Sequence, residues 1–412
     1  MVQSVLGSLV LGYRPLWNVA RKIAGVQLYL HSAGQALVDA PHLLRTLREL
    51  WSASSPSLLL SPRSPQLLAA LLEHAPNGTP WLEVNGAWLA DPALLGLAQK
   101  AHQRGLRLVW SGALAQLPDA DVARLFDNSL LQLSSEDAVH ALQAAAAARS
   151  NVQLPNPPPN PVIAGQMYDS VASRALLTHC LDGSGALAVA GWPTEDVLYS
   201  LRHQPMQPAR EVVHKLMKAI DDESSIDHFE SILGEDPLLA YRFMTFTNSA
   251  SLGLRTGVDS LRRGLVMMGY GALGRWLADQ LPHANVEPDL RPIRQSMVLR
   301  ARLTMELMDA GIGKDLRGEI YMTGLLSQLG DLLHEPLGTV LKRLPLSDRV
   351  YNAAVLRTGY YAPSLEMACA LEGADAALIA RLCKSYDIDL EHVNRSLLRV
   401  LSETEVERAP RR

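Results

Sequence analysis

The chain has 412 residues, 48% of them apolar and 19% charged, which is too long for one ordinary domain and rich enough for two packed cores. A net charge of −4 argues against a general nucleic-acid coat or a polybasic membrane anchor. Three cysteines, Cys180, Cys369 and Cys383, without C-x-x-C spacing exclude a zinc knuckle and a disulfide framework and fit a reducing compartment.

The opening stretch "MVQSVLGSLVLGYRPLW" is apolar but has no basic lead and no A-x-A site, so it lacks the profile of a signal peptide. No apolar run approaches ~20 residues, and a spanning helix is not expected. These features predict a soluble, cytoplasmic protein.

In the first half, β-rich runs at residues 5–13, 25–31, 57–60, 80–84, 106–110, 130–133 and 186–190 alternate with helical stretches at 40–50, 65–74, 92–104, 119–126 and 136–149. Alternation at this spacing predicts parallel strands with crossover helices, and hence a (β/α) barrel or part of one. The proline run 154–161, "LPNPPPNP", reads as a stiff extended loop inside this domain, with a domain linker as the alternative. The preferred linker is "RHQPMQPAR" at 202–210. The expected division is therefore an α/β domain over 1–200, a linker over 201–210 and a helical domain over 211–405.

Beyond the linker the apolar period changes to that of helices. Val212, Val213, Leu216, Met217 and Ile220 form one face, and Ile226, Phe229, Ile232 and Leu233 the next. Asp236-Pro237 supplies an N-cap followed by proline at the first helical position. Further helices are expected at 238–246, 260–268, 272–280, 292–310, 316–333, 337–341, 348–358, 365–371, 375–386 and 392–403. This half is predicted to be all-α.

The segment 232–277, "ILGEDPLLAYRFMTFTNSASLGLRTGVDSLRRGLVMMGYGALGRWL", resembles the signature of the HDOD domain, a relative of the HD phosphohydrolase fold that typically lacks the catalytic ligands. The matching positions are Asp236, Pro237, Leu239, Arg242, Asn248, Ser249, Gly253, Val258, Ser260 and Gly269. "YMTGLLSQLGDLL" then lies where that family's degenerate His-Asp helix is expected, with Ser327 and Gln328 at the two chemical positions. The first half resembles a much-altered EAL domain, the cyclic-di-GMP phosphodiesterase barrel, through its strand order and through "LGYRPL", "WLEVNG" and "GLRLVWSG". Together the halves resemble bacterial EAL-plus-HDOD signal-transduction proteins.

The resemblance also implies what is missing. The metal-binding Glu of the E-x-L triplet falls on Arg14, and the paired aspartates fall on Ser111 and Gly112. Two-metal hydrolysis needs several carboxylates to hold the cations and acidify a water, and a guanidinium in that shell repels them. None of the twelve histidines is followed by Asp, and no two stand three or four residues apart. No catalytic residue, metal ligand or cofactor-binding residue is assigned, and no cofactor is expected.

Eight arginines and no lysine lie between Arg255 and Arg302, against the acids Asp259, Asp279, Glu287 and Asp289. Arg255, Arg262, Arg263, Arg275 and Arg294 are the candidate interaction surface for an acidic partner or a phosphate-rich ligand, against the alternative of a solvated, carboxylate-paired face. Without interleaved aromatics the cluster is a poor nucleic-acid platform. Trp192, before the linker, is the candidate interdomain contact, with a barrel-core tryptophan as the alternative. The reading that follows is an inactive regulatory scaffold acting through protein partners, with homo-oligomerisation left open. The alternatives are a receptor for cyclic-di-GMP or another nucleotide, or a residual metal-dependent phosphodiesterase.

Overall fold

The computed structural model describes residues 4–34, 38–149, 159–249, 257–284, 286–308 and 313–404. Two compact units result. One comprises Met1–Val197 together with Ala370–Arg412, and the other Leu198–Cys369. The expectation placed 211–405 in a single helical domain, whereas the structure groups the last two helices, Ala376–Tyr386 and Leu390–Ser402, with the barrel.

The first unit is a closed eight-stranded barrel: β1 (Leu9–Trp17), β2 (Ile23–Ser32), β3 (Ser57–Pro62), β4 (Trp81–Asn85), β5 (Leu108–Ala113), β6 (Asn128–Gln132), β7 (Met167–Asp169) and β8 (Ala188–Ala190). From β2 to β8 the strands run parallel, and β1 is antiparallel to both neighbours. The three-residue β7 has no counterpart among the expected strands. Crossover helices begin on capped prolines: Asp39 accepts the His42 N–H, Ser64 the Leu67 N–H and Asp91 the Ala93 N–H, each just before or at Pro-containing first turns.

Period-two alternation divides the strands between two faces. Leu16, Leu59, Val109, Leu130, Met167, Ala188 and Ala190 meet in one buried cluster, with Trp81 packed against it. Residues from so many strands can meet only inside the barrel, so this cluster is its floor. Two residues further toward the C-terminal ends of β3 to β7, the same inward face carries Ser61, Glu83, Ser111, Gln132 and Asp169. The barrel therefore has an apolar floor and a polar mouth.

One seam is only partly zipped. β1 pairs along its length with β2 but meets β8 only at Leu16 and Trp17. Farther up that edge the side chain of Asn394 takes the strand's place. Its Nδ2 donates to the Leu6 and Leu9 carbonyls at 2.7 Å each, and its Oδ1 accepts the Leu11 N–H at 3.2 Å. Asn394 is fully buried, and its helix also buries Val393, Leu397, Leu398 and Leu401. Unpaired strand edges need partners, and this need draws the chain's last helix to its first strand. Gly12 belongs to the same junction, because a Cβ there would collide with the Gly373 carbonyl.

The second unit is helical. Asp236 organises its start: Oδ1 accepts the Leu238 and Leu239 N–H groups at 2.8 and 2.9 Å, and Oδ2 accepts from Ala209 N–H at 2.7 Å and Arg294 at 3.0 Å. Asn248, after the helix Pro237–Thr247, donates to the carbonyls of Met244 (2.7 Å) and Val258 (2.9 Å) and accepts the Val258 N–H at 2.7 Å. It thereby fastens both ends of the intervening loop. Gly253, another matching position, lies outside the described residues. The helix Leu261–Gln280 breaks at Gly269 (φ 66°), which matches the two separate helices expected there. No helix among the described residues is long and apolar enough to cross a membrane.

Candidate functional site

The barrel mouth gathers the polar side chains of the inner face into two linked groups. Glu83, 7% exposed, accepts from Gln27 Nε2 at 2.8 Å and from the Ser61 hydroxyl. Gln27 in turn accepts the Tyr29 hydroxyl proton at 3.1 Å. On the other side, Arg14 forms an ion pair with Asp169, which also accepts from the Ser170 hydroxyl at 3.0 Å and from Gln132 Nε2 at 3.4 Å.

Tyr29 joins the groups. The guanidinium of Arg63 lies 4.4 Å from its ring centroid and that of Arg14 5.8 Å. Burial, with Asp169 and Glu83 adding to it and Arg14 and Arg63 opposing it, pushes the Tyr29 hydroxyl up to about 12. It stays a proton donor at neutral pH. His31, one inward position further along β2, has its pKa lowered by burial first and then by Arg63, and its Nε2 is enclosed without a hydrogen-bond partner.

The positions named from the sequence separate here. Arg14 stands in the mouth, and Ser111, 8% exposed, faces it from β5. Gly112 is on the opposite face of β5, where a Cβ would lie 2.7 Å from the Trp110 ring. Trp192 meets Trp17 edge-on, with ring centroids 6.0 Å apart and planes at 69°, so its described aromatic contact is within the barrel unit.

EAL-type hydrolysis implies divalent cations, and the donor set does not fit them. A cation shell needs free carboxylate oxygens, yet Asp169 is paired with a guanidinium and Glu83 is satisfied by neutral donors. Among the described residues, no three His, Cys, Asp or Glu side chains converge as metal ligands do.

The His-Asp-like helix has a different local structure from the continuous helix expected over 316–333. It is interrupted at Ser327-Gln328, between Lys314–Leu326 and Leu329–Leu333. Ser327, 6% exposed, donates to the Gly324 carbonyl at 2.7 Å and accepts from Arg300 at 3.4 Å. Gly324 is pressed against the neighbouring helix Leu290–Glu306, where a Cβ would stand 2.6 Å from the Ala301 Cα. Gln328 is half-buried at the break, with φ −118° and ψ 11°.

The arginine cluster is not all at the surface. Arg294 is 6% exposed, paired with Asp236, and donates to the Gln207 carbonyl at 2.5 Å. It is corrected from a candidate contact to a buried structural residue, because it neutralises the carboxylate that caps the helix at Asp236. Arg262 pairs with Asp227 and, at 3.4 Å, Glu230; Arg263 pairs with Asp259 at 3.6 Å. Arg275 is exposed, and Arg255 lies outside the described residues.

Sequence reasoning passed over Gln27, Tyr29, Ser61, Glu83, Gln132 and Asp169. The available signal was a polar or charged residue at alternate positions of apolar strands, as in "VQLYL" and "WLEVN".

Fold and site define an eight-stranded barrel with a polar mouth, in a chain that also contains a helical unit. Residues 206–337 match the family model of the HDOD domain, and the chain carries that domain there. Among curated proteins, the Cyclic di-GMP phosphodiesterase CdgJ of Vibrio cholerae serotype O1 is 22% identical over 199 residues, covering 48% of this chain and 46% of that protein. The Uncharacterized protein YuxH of Bacillus subtilis (strain 168) is 23% identical over 166 residues, covering 39% of each. The chain thus spans less than half the length of either relative. Among solved structures, the MmoQ response regulator of Methylococcus capsulatus str. Bath is 16% identical, with a TM-score of 0.39 over 47% of this chain and 98% of that one.

Proposed function

We propose that this chain is a regulatory signalling protein whose barrel is an altered EAL domain without two-metal hydrolysis, and that it acts through protein partners. The observation that carries this reading is the Arg14–Asp169 ion pair inside the mouth. A fixed positive charge placed on a carboxylate opposes a divalent cation at the same oxygens. The HDOD domain at 206–337 and the similarity to a protein named a cyclic di-GMP phosphodiesterase support a place in signal transduction. Asp236, Asn248 and Ser327 serve packing in the helical unit, which suits a scaffold better than a reaction centre.

A second reading, a nucleotide receptor, is favoured by the two guanidiniums over Tyr29 at the mouth. Cyclic-di-GMP incubated with the protein and Mg²⁺ or Mn²⁺ separates the readings when hydrolysis and calorimetric binding are followed together. Neither linear product nor saturable heat is expected. Turnover would overturn the inactive assignment, and micromolar binding without turnover would replace the first reading by the second. The partner surface is tested by Arg262→Glu/Arg263→Glu in pull-downs, where unchanged recovery of every partner would count against it.

A further inference from the structure

At the end of the barrel opposite the mouth, a half-open cavity of about 460 Å³ lies where β3, β4 and β5 begin. Arg48, Trp51, Asn77, Thr79, Trp81 and Arg107 supply its distinctive lining, and no acidic residue lines it. Neither arginine has an ion-pair partner among the described residues, and both are exposed. The aromatic walls are fixed in place. Trp51 donates its indole N–H to the Pro56 carbonyl at 2.7 Å, and Trp81 is packed against the barrel floor.

We propose that this cavity is a binding site for a free nucleoside monophosphate. Both indoles line the cavity half-buried, and aromatic surface whose position is set by a hydrogen bond and by core packing binds a base at little entropic cost. Unpaired guanidiniums bind phosphate through paired N–H donors. The Asn77 amide supplies a donor and an acceptor for a base edge or a ribose, and the Thr79 hydroxyl, whose proton goes to the Pro76 carbonyl at 2.6 Å, supplies a further acceptor. The volume falls within the ~300–1,000 Å³ range of small-molecule sites. The absence of carboxylates from the lining makes it a poor host for cations and leaves the site net positive.

Calorimetry on the full chain tests the assignment with GMP, guanosine and inorganic phosphate as separate titrants. GMP should bind at a single saturable site, with each half-ligand weaker by ~10-fold or more, because stacking and charge act together. Arg48→Ala/Arg107→Ala should weaken GMP by at least ~10-fold, and near-ultraviolet circular dichroism should show its fold retained, since both side chains are exposed. Trp51→Phe provides the independent aromatic test and should weaken guanosine as well as GMP. No saturable heat up to ~5 mM GMP, equal binding by the double-arginine variant, phosphate binding as well as GMP, or binding only of a single-stranded oligoribonucleotide would each overturn the proposal.

Discussion

Arg263 stands on an exposed helical turn and pairs at 3.6 Å with Asp259, whereas Arg294 is 6% exposed and pairs at 3.0 Å with Asp236. Solvent screens the first pair, and removal of one partner there changes stability by less than ~1 kcal/mol. The second pair is sealed from water, so removing the guanidinium strands a buried carboxylate. Arg294→Ala should therefore lose ~3–5 kcal/mol in denaturant unfolding, while Arg263→Ala stays close to wild type; equal losses would refute the distinction. His31 supplies a pH test. Its folded pKa is lowered from 6.5, mainly by burial, so the unfolded chain takes up the proton first. Stability is then fully present above the ordinary imidazole value and falls as pH drops below it. Chemical denaturation at about pH 8 and about pH 5 should show a smaller loss for His31→Gln than for wild type, and an identical loss would remove His31 from the account.

At the scale of single elements, the legibility of the sequence follows the physics of each pattern. Helices of the second unit were readable because 3.6-residue apolar periods and the Asp236-Pro237 cap are local signals. The floor of the barrel was readable as strand, but its polar mouth was not. A glutamate in "WLEVN" looks like an outward residue until the closed barrel turns its face inward. The interruption at Ser327-Gln328 was also hidden, since no proline marks it and its surroundings are set by packing against the helix Leu290–Glu306. That crossing is testable. Gly324→Val adds a branched side chain where even a Cβ meets the Ala301 Cα at 2.6 Å. Overpacking of this kind costs ~1–3 kcal/mol or more, so thermal unfolding of the variant should fall by several degrees. An unchanged midpoint would mean that the helices do not approach so closely.

For the molecule as a whole, the sequence announced a barrel followed by helices but not that the barrel recruits the end of the chain. That pairing is non-local: Asn394 is 383 residues from Leu11, and nothing near either residue encodes the other. The physical demand comes from β1, whose outer edge lacks a strand where β8 has ended. Asn394 satisfies a donor and two acceptors there, and the apolar face of its helix covers them from water. Leaving such groups buried and unpaired costs ~1–3 kcal/mol apiece, so Asn394→Ala should destabilise the first unit by about 2–4 kcal/mol without disturbing the second. Residues 4–197 produced alone keep all eight strands but lose the helices that cover β1, exposing Leu9 and Leu11 at an open edge. This fragment should bind a hydrophobic dye and aggregate, and adding residues 370–404 back through a flexible linker should restore a cooperative unfolding transition. A monomeric, cooperatively folded 4–197 fragment would show instead that the barrel closes without the chain's end.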